Sequence, residues 1–484
     1  MDTGSYKKPH TSKIKTMLKA FKHHEELSAF FLTLLIIFTT QFCIGAIKFV
    51  GDANAYWHYS SFILDLDFPK TMRGYFYPLV LAIPRFIANS WPSSGYIGFY
   101  VIQALLFSYI FSTLLPYVFT RLIGGKLSIS RRILPPLLVA IFFPGLMAYP
   151  LSDLPALCMI VTSLYLALRA SKQKNLASSF LFLFLAGITA YGAYNIRTIY
   201  LFPLLILIPI IPALLLKKNS HIEKLLLTAS FIAGATFASL PQIIINFKHL
   251  NSPSPFVITD NKNTSLYANQ LKWGVTIQRY ETGYNSETGG IYPIYYIDPL
   301  GERLFENANL GEGVITVPKI LTAIVNHPLS FLQIYTKHFI NGMDVRDPDP
   351  YTSTSSKDRN FRSFTSLSLS VLGAFFLVLV VARSETGRNP WPQILSKVTW
   401  LVLLLLPVLA ITPGAIETRF FLPFHLIGYC AISYGFSKNL KNKFSTKEAL
   451  LAVVIYLTLV LSFYNSARES VQHPNSAIKK EYFE

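Results

Sequence analysis

Long apolar stretches alternate with short polar ones along this chain, and many of the apolar stretches approach the roughly 20 residues that carry a helix across a bilayer. Eleven such runs lie near 27–49, 96–119, 133–149, 155–170, 176–194, 198–216, 225–245, 364–383, 398–412, 420–436 and 448–466. The shorter ones predict helices that are tilted, bent or extended beyond the apolar run. Two intervening segments are too long to be turns. The first, 50–95, holds an aromatic stretch from Tyr75 to Ala88 that is too short to span and is interrupted by Pro78 and Pro84. Short helices of this kind lie along the membrane interface. The second, 246–363, is polar and rich in Tyr, Asn, Gly and Pro. Within it, apolar residues recur at helical spacing from Pro318 to Asn341, which predicts a second interfacial helix. The pattern therefore predicts an all-α polytopic membrane protein of about eleven transmembrane helices. Its parts are an N-terminal module over 1–245, a mixed extracytoplasmic region over 246–363 and a C-terminal module over 364–484.

Composition agrees. Hydrophobic residues make up 52% of the chain and charged ones 14%, where soluble proteins carry about 25% charged residues. That excludes a soluble globular enzyme, a disordered chain and a fibrous one. The net charge of +18 comes from 43 basic against 25 acidic residues, and the positions of the cations explain it. Lys7, Lys8, Lys13, Lys15, Lys19 and Lys22 precede the first run, and every second connection thereafter is basic. Arg121, Lys126, Arg131 and Arg132 form one such connection, and Lys217, Lys218 and Lys224 another. The short intervening connections carry at most one cation each, Arg197 or Arg419. Cations stay in the cytoplasm during insertion. The N-terminus is expected inside, and the C-terminus and the two long segments outside. The charge is a topology signal, so no nucleic-acid partner is expected. Membrane lipids are the surroundings. The first run lacks a small-x-small cleavage site and reads as a retained span.

Some chemistries lack their residues. Cys43, Cys158 and Cys430 all sit in apolar runs, too scattered for a disulfide framework or a cysteine zinc site. The histidines include no pair at zinc-ligand spacing with a nearby third ligand on the outer side. Gly-x-Gly-x-x-Gly and Gly-Lys-Ser/Thr are absent, which argues against nucleotide hydrolysis.

Ionisable groups close to membrane depth are costly and therefore mark functional sites. Asp52 follows the first span in Gly51-Asp52-Ala53, and Asp153 sits in the tight turn Pro150-Leu151-Ser152-Asp153-Leu154-Pro155. Each also suits a helix N-cap. Together they form a possible acid/base or metal pair, so a divalent metal is an open possibility. Arg197 lies in a very short connection, and Arg419 opens the tenth run beside Glu417. Arginine forks onto phosphate and remains charged in any surroundings. Snorkelling to the interface would place the same residues there. Arg73 is a further cation of the first outer loop, and Tyr56, Trp57 and Tyr77 are aromatic residues suited to interface anchoring.

An acidic residue just after the first span, followed by Tyr56-Trp57 and then Arg73-Gly74-Tyr75-Phe76-Tyr77-Pro78, resembles the first extracytoplasmic loop of the GT-C glycosyltransferases. This superfamily includes protein O-mannosyltransferases, the lipid A aminoarabinose transferase and phage-type O-antigen glucosyltransferases. Tyr149-Pro150-Leu151-Ser152-Asp153, Asn195-Ile196-Arg197, Asn326-His327-Pro328 and Glu417-Thr418-Arg419-Phe420 are similar in order and side. The chain has a single acid at Asp52 where some members have a pair. The resemblance implies a GT-C-like fold that takes a sugar from a polyprenyl-phosphate carrier. The acceptor is a glycan, lipid or protein on the outer side, and the anomeric centre inverts. It implies Asp52 as general base, Asp153 as a second acid that orients the acceptor or an arginine, and Arg197, Arg419 and Arg73 as donor-phosphate ligands. Tyr56, Trp57 and Tyr77 would face the sugar, and a bacterial inner membrane would be the setting. Two other readings stand beside it: a lipid-linked polysaccharide polymerase or ligase, and a transporter or flippase of lipid-linked sugars.

Overall fold

The computed structural model describes residues 10–45, 48–65, 67–69, 73–258, 266–285, 290–311, 316–347, 350–351, 358–382, 390–435, 445–472 and 474–475. Among these, nine helices are long and apolar enough to cross a membrane. They are His24–Ile44, Ile97–Leu122, Asp153–Ala170, Leu176–Ile196, Thr198–Leu215, His221–Leu250, Arg359–Ala382, Trp391–Ile411 and Thr446–Ser470. The chain is thus an all-α polytopic membrane protein in its apolar part. The other two apolar runs form shorter helices, Ile129–Phe142 and Leu422–Gly435, of 14 residues each. At about 1.5 Å per residue Ile129–Phe142 does not reach the ~30 Å of a hydrocarbon core, and residues 436–444, which follow Leu422–Gly435, lie outside the described residues.

The shortness of Ile129–Phe142 has a local cause. Phe143 precedes Pro144, which disfavours the helical region for it, and it leaves that region at φ −131°, ψ 45°. Leu422–Gly435 begins after a 3-10 turn at Thr418–Phe421 and is buried at every position except Phe424 and Ile432. Contacts nevertheless join these two helices to both ends of the bundle. Ser433 donates to the Arg131 carbonyl and the Lys126 amide donates to the Tyr434 carbonyl, 2.9 Å away. Asp153 and Arg419 lie together at the other end.

The Phe76–Ser90 helix stands where an interfacial helix is expected, with Tyr77, Leu81 and Pro84 on its buried face. The Pro318–Asn341 expectation needs correction. Two helices occupy that stretch, Val317–Asn326 and Pro328–Met343, because His327 precedes a proline and takes an extended φ of −131°. The same region carries elements that apolar spacing did not predict. β1 (Ile277–Tyr284) pairs antiparallel with β2 (Ile291–Ile297), which pairs with the two-residue β3 (Pro474–Asn475), in the order β1-β2-β3. Helices Leu266–Thr276 and Pro299–Asn307 join them. Leu271, Val275, Leu304, Phe305, Ile320 and Ile334 give this unit a core of its own.

The unit is tied to the loop that follows the Trp391–Ile411 helix. The Tyr280 amide of β1 donates to the Ile416 carbonyl at 2.8 Å, and the Ala415 amide donates to the Gln270 carbonyl at 3.3 Å. That loop carries Glu417 and Arg419, so the polar unit and the bundle together position the site.

Candidate active site

Asp52 lies in the first turn of the Gly51–Leu64 helix, and its position there is not a cap. The N-cap is Val50, with no side-chain hydrogen bond, and Gly51 opens the helix at φ +52°. A Cβ on Gly51 would stand 3.0 Å from the Tyr351 ring and 3.1 Å from the end of Ile291. The Ala53 amide donates to the Tyr351 hydroxyl at 3.1 Å. Gly51 thus lets the helix start against Tyr351. Gly51→Ala is expected to lower stability by about 1–2 kcal/mol from the left-handed backbone alone. Apparent Tm in detergent checks this, and an unchanged Tm would mean that the turn can relax.

The freed carboxylate reaches two arginines. Arg73 donates to Asp52 Oδ1, and Arg419 Nη2 lies 3.3 Å from Asp52 Oδ2. Arg73 also donates to the Tyr56 hydroxyl at 3.2 Å and lies over that ring, 4.8 Å from its centroid. Arg73 reaches this place because Gly74 passes hard against Asn195, where an added Cβ would fall 2.1 Å from the Asn195 carbonyl oxygen. The Asn195 side chain accepts from the Phe76 amide at 2.8 Å and donates to Gln242 at 2.9 Å. Gln242 donates onward to Asn246 at 3.0 Å. This buried amide chain fastens the Arg73 loop to the bundle. It satisfies its own polar groups, so the desolvation cost is met.

Asp153 is not a cap either. It is the first residue of its helix, and Arg197 donates to its Oδ1. Arg419 Nη1 stands 3.7 Å from Asp153 Oδ2, and Arg419 Nε 2.9 Å from Glu417 Oε2. Phe420 lies beneath two guanidinium groups, with Arg197 4.4 Å and Arg419 5.8 Å from its ring centroid. The order is Arg73–Asp52–Arg419–Asp153–Arg197, with Glu417 on the flank of Arg419. Three cations face three carboxylates.

Exposure separates the two acids. The Asp52 side chain is 36% exposed and that of Asp153 3%. Asp52 can therefore meet a substrate, whereas Asp153 is held behind the arginines. Burial raises the Asp52 pKa, but Arg419 and Arg73, with a smaller effect from Arg197, outweigh it and hold the group below the usual carboxylate range. At Glu417 burial dominates, and the pKa is raised despite Arg419.

A cavity of about 330 Å³ opens on this row and is lined in part by Asp52, Tyr56, Arg73, Arg197 and Arg419. Tyr267, Gln270, Trp273 and Tyr280 close it from the polar unit. Asp153 stands at the cavity through Arg197 and Arg419 without lining it. Of the expected aromatic faces only Tyr56 lines this space. Tyr77 lies behind Tyr56, with ring centroids 5.0 Å apart. Trp57 packs among Phe49, Tyr96 and Phe99, under Arg85 at 5.2 Å. Tyr267, Trp273 and Tyr280 carry no local sequence signal; only the fold brings them here.

A second ionic group, also without a sequence signal, stands behind Arg419. Arg279 donates to Asp344 Oδ2 and to Glu281 Oε1, both at 3.0 Å, and Arg359 lies 2.7 Å from Glu281 and 3.0 Å from Asp347. Arg346 also pairs with Asp344. This group links β1, the segment after Met343 and the start of the Arg359–Ala382 helix. Among the described residues no group of three or more His, Cys, Asp or Glu is placed to hold a metal ion. No protein-family model, curated protein or solved structure matches this chain.

Proposed function

We propose that this chain is an integral membrane glycosyltransferase of GT-C type. It moves a sugar from a polyprenyl-phosphate carrier to a glycan, lipid or protein acceptor on the extracytoplasmic side, with inversion. The observation that carries this reading is the convergence of an accessible carboxylate, Asp52, with Arg73, Arg197 and Arg419 on one cavity at the end of the bundle. Those residues come from three separate parts of the chain.

Such a transfer needs two things. One is a base for the acceptor hydroxyl, which becomes acidic as its oxygen bonds to an oxocarbenium-like anomeric carbon. The other is fixed positive charge for the phosphate that departs with the electron pair of the broken bond. Asp52 supplies the first and the arginines the second. Asp153 sets the orientation of Arg197 and Arg419. Tyr56 offers a flat face, joined by Trp273 and Tyr267 from above.

A carrier tail also needs an apolar place. A cavity of about 320 Å³ lies among the Phe76–Ser90, Ile97–Tyr109, Asp153–Ala170 and Leu176–Ile196 helices, and its lining is almost wholly apolar. It begins at Tyr77, one ring behind Tyr56. Pro84, Leu106, Ile110 and Met159 continue it into the bundle. A flippase would instead call for charge along a mid-span path. Arg132, a buried cation of a basic connection, pairs with Glu26 at 3.1 Å near the Lys126–Tyr434 end. Release of polyprenyl phosphate from lipid-linked sugar by the purified protein in liposomes tests the proposal.

The reading requires eleven passes, with the two 14-residue helices counted as crossings and the site facing out. In a background lacking Cys43, Cys158 and Cys430, a cysteine at exposed Thr322 is expected to react with an impermeant maleimide in intact cells. One at exposed Ser220 is expected to react only after lysis. The reverse pattern would invert the orientation and remove the proposed access to acceptor.

A further inference from the structure

Every oxygen that Asp52 could use as a base is already engaged. Oδ1 accepts from Arg73 and Oδ2 faces Arg419 at 3.3 Å. A carboxylate held in this way is a poor base. The arginines that hold it are also the cations that the cavity offers to a phosphate. With three cations against three carboxylates the row is neutral, so it has no surplus charge with which to bind an anion. An incoming phosphate can be gripped only if an arginine leaves a carboxylate.

Resting on the glycosyltransferase reading, we propose that Arg73 and Arg419 exchange partners during the reaction. The donor phosphate draws them from Asp52, and the carboxylate so released becomes the base. The charge balance of the step fits this exchange. Before transfer, Asp52 and the donor phosphodiester each carry one negative charge. The acceptor oxygen bonds to the anomeric carbon, the bond from that carbon to the phosphate oxygen breaks, and its electron pair stays on the phosphate. The acceptor proton passes to Asp52. Asp52 ends neutral and the phosphate carries two charges. One negative charge has left the carboxylate and one has appeared on the phosphate, and the two arginines follow it. Arg197 and Glu417 do not exchange, because Arg197 is committed to buried Asp153, and Glu417 lies on the Nε side of Arg419.

Asp52 would then lie silent until the donor is in place. The other charged or titratable groups around Asp52 are Arg197, Glu417, Tyr56 and Tyr351. Removal of a close cation raises a carboxyl pKa by roughly 1–3 units, and a phosphate at the same place adds to the rise.

The test is calorimetric binding of polyprenyl phosphate in detergent at about pH 6, in two buffers of different ionisation enthalpy, to the wild type and to Asp52→Asn. The asparagine variant no longer competes for the arginines. It is expected to bind about tenfold more tightly than the wild type. The wild type is expected to take up a larger fraction of a proton than the variant, because only it carries the released carboxylate. Protons lost by the phosphate itself are common to the two proteins and cancel in the difference. Equal affinity and equal proton uptake by the two proteins would overturn the exchange while leaving phosphate binding intact. No binding by either protein would remove the donor reading, and the exchange with it.

Discussion

Asp52→Asn is expected to abolish sugar transfer, with a loss of about 100-fold or more, while the protein still folds and inserts. General-base catalysis contributes roughly 10²–10⁴ in rate, and an amide of the same shape cannot accept the proton. The substitution removes no helix cap, since Val50 occupies that position without a side-chain bond. One of Arg73 and Arg419 can still donate to the amide oxygen, and each retains another partner, Tyr56 for Arg73 and Glu417 with Asp153 for Arg419. Folding should be preserved, as read by detergent-solubilised yield and size-exclusion profile. Wild-type turnover by the variant would remove Asp52 from the chemistry.

The second large effect is expected at Arg419, which touches all three carboxylates of the row. Arg419→Gln should lower transfer by about 100- to 1,000-fold, the usual loss when a fixed donor to developing negative charge is removed. Arg419→Lys should fall between, because lysine keeps the charge but cannot serve three directions from one plane. Glu417 complicates the interpretation. Its side chain is nearly buried, and leaving it unpaired costs about 3–5 kcal/mol. The pair Arg419→Gln with Glu417→Gln removes that strain. It is expected to recover stability and leave activity low. If activity returned with stability, Arg419 would be an anchor of the loop and not a ligand of phosphate. At Arg197 the same Lys and Gln series should give a graded but smaller loss, since Phe420 and Asp153 hold that guanidinium in place.

Much of the bundle is legible in the sequence because apolar length and flanking charge are direct consequences of the bilayer. Ile129–Phe142 comes out shorter than its apolar run suggests, because of a proline placement that hydropathy does not encode. The split at His327–Pro328 was readable from the proline, yet apolar spacing continues across it and masks the break. β1 and β2 alternate too weakly between apolar and polar residues to announce a hairpin, and what fixes them is pairing with each other and with Ile416.

The site divides in the same way. Asp52, Asp153, Arg197 and Arg419 could be picked out singly because charge at the membrane lip is costly. Their pairing could not. Nothing near Arg197 in sequence is acidic; its partner, Asp153, opens the Asp153–Ala170 helix, one helix before the one that Arg197 ends. The aromatic residues were the least legible. Trp57 and Tyr77 sit in attractive motifs but pack inward, while Tyr267, Trp273 and Tyr280, in featureless polar sequence, are the ones that line the cavity. Aromatic side chains suit a core, an interface and a sugar face equally well, so only the fold decides among these roles.

Transfer of a sugar from a polyprenyl-phosphate carrier by this cluster releases the carrier as polyprenyl phosphate. The most direct measurement reconstitutes the purified protein in liposomes containing lipid-linked sugars extracted from the cells that make it, together with the matching outer-surface extract as acceptor. Polyprenyl phosphate released over time is then quantified for the wild type and for Asp52→Asn. The account predicts release by the wild type, dependent on acceptor, and at least about 100-fold slower release by the variant. No release by the wild type, or equal release by the two proteins, would contradict it.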